Sequence, residues 1–493
     1  MKTLSRLTAP KSIAPEKIIQ FGEGNFLRGF VDWIIWHMNQ QTPFNASVVV
    51  IPPTPRGSAE RLNAQDGLYH VNLQGRQGGK PVDLLQRVDV ISRALNAYTQ
   101  HNAFMALAEQ PEIRFVISNT TEAGITFDPT CRFSDAPASS FPGKLTQLLY
   151  RRFQAFHGDP KRGLIILPCE LIFLNGHHLK ECILQYIDLW RDDLGRDYER
   201  FRRWFLKYNY VCTTLVDRIV PGFPHKDIDR LQKRAGYIDA LMVQAEVFHL
   251  WVIEHPDNMS CAALRREFPA ERAGLNVLIA ESEAPYHERK VTLLNGPHTV
   301  LSPVAYLSGI NIVRDALHDK VIGQYIRKVQ FDELMQTLNL PMAELQQFGA
   351  DVLERFDNPY VDHAVTSIML NSFPKFETRD LPGLKVYLKR HGQLPKGLVL
   401  GLAAIITYYR GGTRADGAPI QPNDAPAIID RLTQLWATGD TRQVAEGVLA
   451  STDVIWKESK QDLNQLTGLT DLLTHYLNSI QEKGMRETVK SIL

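Results

Sequence analysis

Short runs of β-branched and apolar residues alternate with amphipathic stretches over the first third of the chain. Ile18–Phe21, Ser47–Ile51 and Ile113–Ser118 read as buried strands. Between the first two, Phe26, Phe30, Ile34 and Met38 recur every fourth position and predict a helix with one apolar face. Strand, helix and strand in so short a span make a βαβ unit, which predicts a parallel sheet. A further run, Gly163–Leu167, stops at Pro168. Charge-rich helices follow over 176–208, then an apolar segment, Val211–Val220, and one more strand-like run, Leu275–Ala280. Beyond Glu288 the pattern changes to long amphipathic segments (315–355, 361–372, 394–411, 424–450, 461–490) with almost no alternating runs. This is an α/β chain, expected to divide into a sheet-containing part, 1–273, and a mainly helical part, 274–493, with a ligand between them.

Composition narrows the partners. The 55 Lys and Arg against 54 Asp and Glu leave a formal charge of +1, without the basic surplus of a nucleic-acid binder. The five cysteines, at 131, 169, 182, 212 and 261, are widely spread and form no C-x-x-C pair, so neither a disulfide framework nor a zinc ribbon is expected. The first residues lack the apolar run of a secretory signal. The longest apolar stretch, Leu398–Tyr409, is too short to span a bilayer. A cytoplasmic protein with no membrane or nucleic-acid partner is expected, and no metal.

The first candidate chemistry lies at the first strand–helix turn. In Phe21-Gly22-Glu23-Gly24-Asn25-Phe26-Leu27-Arg28 a strand runs into two glycines and a helix. Gly22 permits a tight turn, and Gly24 lets the backbone approach a pyrophosphate. Leu27 stands where the third small residue of G-x-G-x-x-G belongs, so the fingerprint is incomplete, and an ordinary tight turn remains the alternative. Arg28 suits a phosphate there. The second strand runs into Pro52-Pro53-Thr54-Pro55-Arg56, without the acidic residue that normally holds the adenosine ribose. Arg56 is either a partner for a 2′-phosphate or a solvated loop residue.

The second candidate is Lys290, Asn295 and His298. On a regular helix these fall at about 0°, 140° and 80°, on one side. A lysine there protonates a carbonyl oxygen as hydride arrives, an amide donates to the developing oxyanion, and an imidazole orients a neighbouring hydroxyl. The same spacing also describes an ordinary polar helix face. Pro297 lies between them and would kink a regular helix.

Together these segments resemble the long-chain mannitol dehydrogenase family of polyol and hexuronate oxidoreductases. Lys290, Asn295 and His298 match its Lys-x4-Asn-x2-His signature, and the Phe21–Arg28 segment matches its glycine loop. Gln65-Asp66-Gly67-Leu68-Tyr69, Ser118-Asn119-Thr120-Thr121-Glu122-Ala123-Gly124 and Val216-Asp217-Arg218-Ile219 match in order, over nearly the whole chain. The resemblance implies a Rossmann-like N-terminal domain, a mainly α-helical C-terminal domain and zinc-independent chemistry with NAD(H). Lys290 is then the general acid/base, Asn295 an oxyanion donor and His298 a substrate ligand. Phe21, Gly22, Gly24, Asn25, Phe26, Arg28, Asn119, Thr120, Thr121 and Glu122 hold the cofactor, and Asp217 lies near the substrate hydroxyls. The wording of FGEGNFLR, SNTTEAGI, PCELI, TLVDRIV, KFETR and EKGMRE resembles the hexuronate branch. This implies reversible NADH-dependent reduction of D-tagaturonate to D-altronate, with fructuronate or mannitol and other polyols as sibling substrates. A binding protein for NAD(H) or a uronate, without turnover, is the distant alternative.

Polyol dehydrogenases carry Asn, a second oxyanion donor, where this chain has Leu171 after Cys169-Glu170. Either a single donor suffices, or Asn175 four residues on takes part, or the site is impaired. A uronate also needs a basic partner for its carboxylate, ideally a bidentate arginine. Lys375 and Arg379 are the candidates, followed by Arg355; each also reads as a surface ion-pair residue. His177 and His178 are adjacent and diverge on a helix, which disfavours a shared metal. Cys169 reads as a small core residue.

Overall fold

The computed structural model describes residues 1–493, with the side chain of Glu122 excepted. Two compact units divide the chain: Met1–Gln74 with Val82–Glu283, and Gly75–Pro81 with Ala284–Leu493. The main division falls beyond the expected 273/274 boundary because Val277–Ala280 pairs in parallel with Leu250–Glu254, a strand of the first unit.

The first unit holds a six-stranded, all-parallel sheet. Edge to edge its strands are Ile91–Ala94, Ser47–Ile51, Glu16–Phe21, Phe115–Ser118, Ile165–Pro168 and Tyr210–Val211. Numbered along the chain, that is the order 3-2-1-4-5-6 of a doubly wound dinucleotide fold, which reverses beside the first strand. Ser47–Ile51 is buried at every position and Glu16–Phe21 at its last four, as expected of a sheet covered on both faces. One face packs on the helix Val31–Gln41 through Ile34, Ile35 and Met38, and the other on Phe141–Ala155 and Asn175–Leu189 through Leu145, Leu149, Ile183 and Tyr186. Two three-stranded sheets accompany this one, of which the pattern reading foresaw the strand within Leu275–Ala280. One contains Val243–Glu246, Tyr69–Gln77 and Lys80–Val88, and the other Thr213–Asp217, Leu250–Glu254 and Val277–Ala280.

The second unit is helical. Lys396–Tyr408 is buried at every position from Gly397 and packs against Gly296–Leu307 and Leu469–Lys483. The expected long segment 315–355 is instead Val313–His318, Ile322–Arg327, the π-helical Lys328–Leu334 and Met342–Phe356. Glu333, in the π segment, receives the first N–H groups of Lys396–Tyr408, with Oε1 2.7 Å from Gly397 N and Oε2 2.9 Å from Leu398 N.

A buried acid underlies the glycine loop. Asp32 is fully buried, and its Oδ2 accepts from Tyr69 Oη (3.3 Å) and Gln20 Nε2 (3.4 Å). Burial pushes its carboxyl up from 3.8 to about 7, against those hydrogen bonds and the Arg28 charge. Because the folded value is the higher one, this contribution is fully present below the unfolded pKa and is lost as pH rises through 7. A shift of this size is on the order of 4 kcal/mol. The melting temperature is therefore expected to fall by several degrees between pH 5 and pH 8, and by less in Asp32→Asn. Equal falls in the two proteins would show that Asp32 titrates normally.

Candidate active site

The turn after the first strand is shaped by contacts no other residue tolerates. Gly22 has φ 124°, and a Cβ there would lie 2.8 Å from both Asn119 O and Leu27 Cδ1. Its N–H donates to Ile51 O at 2.9 Å, which ties the turn to the end of the second strand. Leu27 is buried and fills the place of the missing third glycine. Gly24 meets nothing within 4 Å of an added Cβ, leaving open space over the backbone.

That space is a pocket of about 850 Å³ within the first unit. Gly22, Gly24, Asn25, Arg28, Asn119, Thr120 and Thr121 line it, as do Glu23, Ser58, Arg61, Phe223 and His225, which the pattern did not single out. Arg28 is nearly buried: Nε donates to Glu23 O (3.2 Å), Nη2 to Asn25 Oδ1 (2.7 Å) and Nη1 to Leu241 O, with the guanidinium over the Tyr69 ring. These acceptors are all uncharged, so the guanidinium reaches the pocket without a directly bonded carboxylate. Glu170 holds Thr120, a residue of the pocket wall. It is buried, with Oε1 accepting Thr120 N (2.9 Å) and Oγ1 (3.0 Å) and Oε2 accepting Ser118 Oγ (3.0 Å). The next residue, Thr121, is held at φ 80°, ψ 164°, a region costly for a side-chain-bearing residue and found where function demands it.

Several expectations are corrected here. Phe21 is a core residue packed on Phe104 and Phe141, and Phe26 stacks on Phe30; neither is among the residues lining the pocket. Arg56 is exposed, as its reading as a solvated loop residue has it, and Arg61 stands on the pocket wall instead. Asn175 is fully buried, with Nδ2 on the carbonyls of Pro168 (3.1 Å), Glu170 (3.0 Å) and Thr214 (3.0 Å) and Oδ1 on Thr214 N (2.9 Å). Its amide hydrogens are consumed in joining two strand ends, so it has none for an oxyanion. Leu171 is 64% exposed. The side chain of Glu122 lies outside the described residues. Asp217 is buried at the end of the strand Thr213–Asp217.

In the second unit the Lys290–His298 segment is not a regular helix. Ala284–Lys290 and Gly296–Leu307 are α-helical, but Val291–Asn295 between them is a π turn, closed by Gly296 N–H on Val291 O. An i→i+5 turn advances less per residue than an α-helix, so residue i+5 comes nearer the side of residue i than the 140° of a regular helix allows. The same widening admits Pro297 in the first turn of the next helix, where its missing N–H is tolerated. In a regular helix Leu293 O would need a donor from position 297. It accepts instead from the buried Gln330 Nε2 at 3.1 Å. The expected kink is thus replaced by a π turn braced from a neighbouring helix.

Two polar atoms in this segment are buried without a hydrogen-bond partner: Asn295 Oδ1 and His298 Nε2. Phe356 stacks on the His298 ring (centroids 4.0 Å apart) and His363 meets it edge-on (5.4 Å). Burial holds the His298 pKa well below the ordinary 6.5, reinforced by the charges of His363, Arg355, Arg379 and Lys375. The imidazole is therefore neutral near pH 7. The structure thus brings together His298 and all three basic candidates. Arg379 Nη1 reaches Thr299 Oγ1 (3.3 Å), and Lys375 Nζ donates to Ile368 O (2.7 Å). Burial, then repulsion by Arg379, lowers the Lys375 pKa, against the opposing influence of the Asp424 carboxylate. Among the described residues one His–Cys–Glu group, His255, Cys261 and Glu281, brings its donor atoms within 4.8 Å of one another. Its His255 Nε2 and Glu281 Oε2 are already joined at 2.7 Å.

Residues 16–264 match the Mannitol dehydrogenase Rossmann domain and residues 284–481 the Mannitol dehydrogenase C-terminal domain. The chain belongs to the mannitol dehydrogenase family. Among its relatives, the altronate oxidoreductase of Bacteroides thetaiotaomicron is 68% identical over 493 residues, covering 100% of both chains. That of Bacillus subtilis is 43% identical over 478 residues, 97% of this chain and 95% of the relative. Solved structures share the family fold. A substrate-free D-sorbitol dehydrogenase superposes with TM-score 0.77 at 22% identity, over 99% of this chain and 100% of that one. The Pseudomonas fluorescens mannitol 2-dehydrogenase complex with NAD and D-mannitol superposes with TM-score 0.65 at 20% identity, over 100% and 99%. As a member of the mannitol dehydrogenase family, the chain is an oxidoreductase acting on CH–OH groups.

Proposed function

We propose that this enzyme reduces D-tagaturonate to D-altronate, reversibly and with NADH, in hexuronate catabolism. The observation that carries the reading is the pair of unpartnered buried atoms, Asn295 Oδ1 and His298 Nε2, with Arg355, Arg379 and Lys375 around His298. Buried polar atoms without partners are costly, and those at a site await a ligand's hydroxyls. Three basic side chains acting on one neutral imidazole suit a substrate that carries a carboxylate. A neutral polyol has no carboxylate to offer them.

The first-unit pocket fits a dinucleotide. Gly24 leaves the space a pyrophosphate requires, Arg28 faces it with a desolvated charge, and Gly22, Asn25, Asn119, Thr120 and Thr121 complete the wall. NADH, when bound, supplies the hydride. The remaining chemistry belongs to the chain. Lys290 gives its proton to the carbonyl oxygen as negative charge develops, and takes it back in the reverse direction. The Asn295 amide, one π turn on, donates to the same oxygen and lowers the barrier electrostatically. Neutral His298 holds a neighbouring hydroxyl through Nε2, and Arg379 with Lys375 holds the carboxylate. Asp217 is assigned to the sugar hydroxyls. No metal is needed for this proton transfer.

NADH consumption with D-tagaturonate, D-fructuronate and D-fructose as alternative substrates tests the reading. Fast turnover of tagaturonate is expected, slow turnover of its epimer, and almost none of the neutral ketose. Preference for fructose would assign the enzyme to the polyol branch.

A further inference from the structure

We propose that Glu23, inside the glycine loop, takes the place of the absent acidic residue at the end of the second strand, holds the adenosine ribose diol and selects NADH over NADPH. The inference rests on the reading that the first-unit pocket holds a dinucleotide. In this fold a carboxylate after the second strand usually accepts from the ribose hydroxyls. Here that strand ends at Ile51 and runs into Pro52-Pro53-Thr54-Pro55, none of which accepts through a side chain as a carboxylate does.

The turn geometry supplies the acid from the neighbouring loop. The Gly22 N–H bond to Ile51 O, 2.9 Å, fastens the glycine loop to the last residue of that strand. The next residue, Glu23, therefore lies against the segment that follows the second strand. Its Oε1 is 3.3 Å from Ser58 N and would lie 3.1 Å from a Cβ on Gly57. Glu23, Thr54 and Ser58 line the same pocket. One long bond from Ser58 uses little of a carboxylate's acceptor capacity, which is about four lone-pair sites. The rest is available to a cis-diol, whose two hydroxyls a carboxylate accepts side by side. The same charge repels a 2′-phosphate. Arg61, exposed on the same wall with Nη2 3.3 Å from Ala240 O, is the group that would favour the phosphate, so Glu23 decides between the two nucleotides.

Dissociation constants for NADH and NADPH, measured by titration calorimetry on the full chain without substrate, test this directly. The wild type is expected to bind NADH at least tenfold more tightly than NADPH. In Glu23→Gln that preference falls at least tenfold, through weaker NADH and tighter NADPH binding, whereas Glu23→Asp keeps most of it. Gln retains an acceptor for Ser58 N–H, and an unchanged melting temperature confirms an intact loop. An unaltered ratio in Glu23→Gln, or a wild type that binds both nucleotides equally, overturns the assignment of Glu23. Failure of the wild type to bind either nucleotide overturns the dinucleotide reading itself.

Discussion

Lys290→Ala is expected to lower kcat for tagaturonate reduction roughly 100- to 10,000-fold, the range associated with a positioned general acid. The reason lies in where the residue sits. Lys290 ends one α-helix, the π turn begins immediately after it, and Asn295 follows one wide turn on. A side chain at that junction is held by a helix that Gln330 braces from outside, so the loss of its proton donor is not made good by a neighbour sliding in. The nucleotide pocket is built from other residues, and the dissociation constant for NADH should not change. The loss should fall in kcat, because the proton is transferred in the transition state and contributes little to ground-state binding. Small exogenous amines should restore part of the rate. A loss confined to KM would instead make Lys290 a substrate ligand.

Arg379→Ala should separate substrates by charge. Hydrogen bonds to a charged group are worth about 1.5–3 kcal/mol, so kcat/KM for tagaturonate should fall roughly 10- to 150-fold. Fructose, which lacks the carboxylate, should lose almost nothing. Lys375→Ala should act in the same direction. Arg379→Lys should recover only part of the loss, because an ammonium cannot present the guanidinium's fork to a carboxylate. Comparable losses on both substrates would mean that Arg379 acts through its bond to Thr299, as a support for the helix that carries His298.

The parallel sheet and the helical second unit were legible because their apolar patterns are strong. Ser47–Ile51 was read to the residue, and Glu16–Phe21 only two residues short. The hairpin strands Tyr69–Gln77 and Lys80–Val88 were not, since the second is mostly half-exposed and carries no alternating stripe. The π turn was invisible as well: nothing in Val291–Asn295 announces it, and Pro297 hinted only at an irregularity. The basic residues whose charges act on His298 were singled out by chemistry, from a carboxylate's need for a counter-ion. His363, Phe356 and Gln330 were missed because a lone histidine, phenylalanine or glutamine carries no spacing signal. Asn175 misled for the opposite reason. Its proximity to Leu171 in sequence suggested a substitute donor, while the fold spends its amide on three backbone carbonyls.

The most direct measurement is a crystal structure of the wild-type enzyme with NAD and D-altronate. The account predicts the altronate carboxylate between Arg379 and Lys375, a sugar hydroxyl on His298 Nε2, and the oxygen of the reacting carbon beside Lys290 and the Asn295 amide. Altronate bound with its carboxylate away from Arg379 and Lys375, or with Lys290 out of reach of the reacting carbon's oxygen, would contradict it.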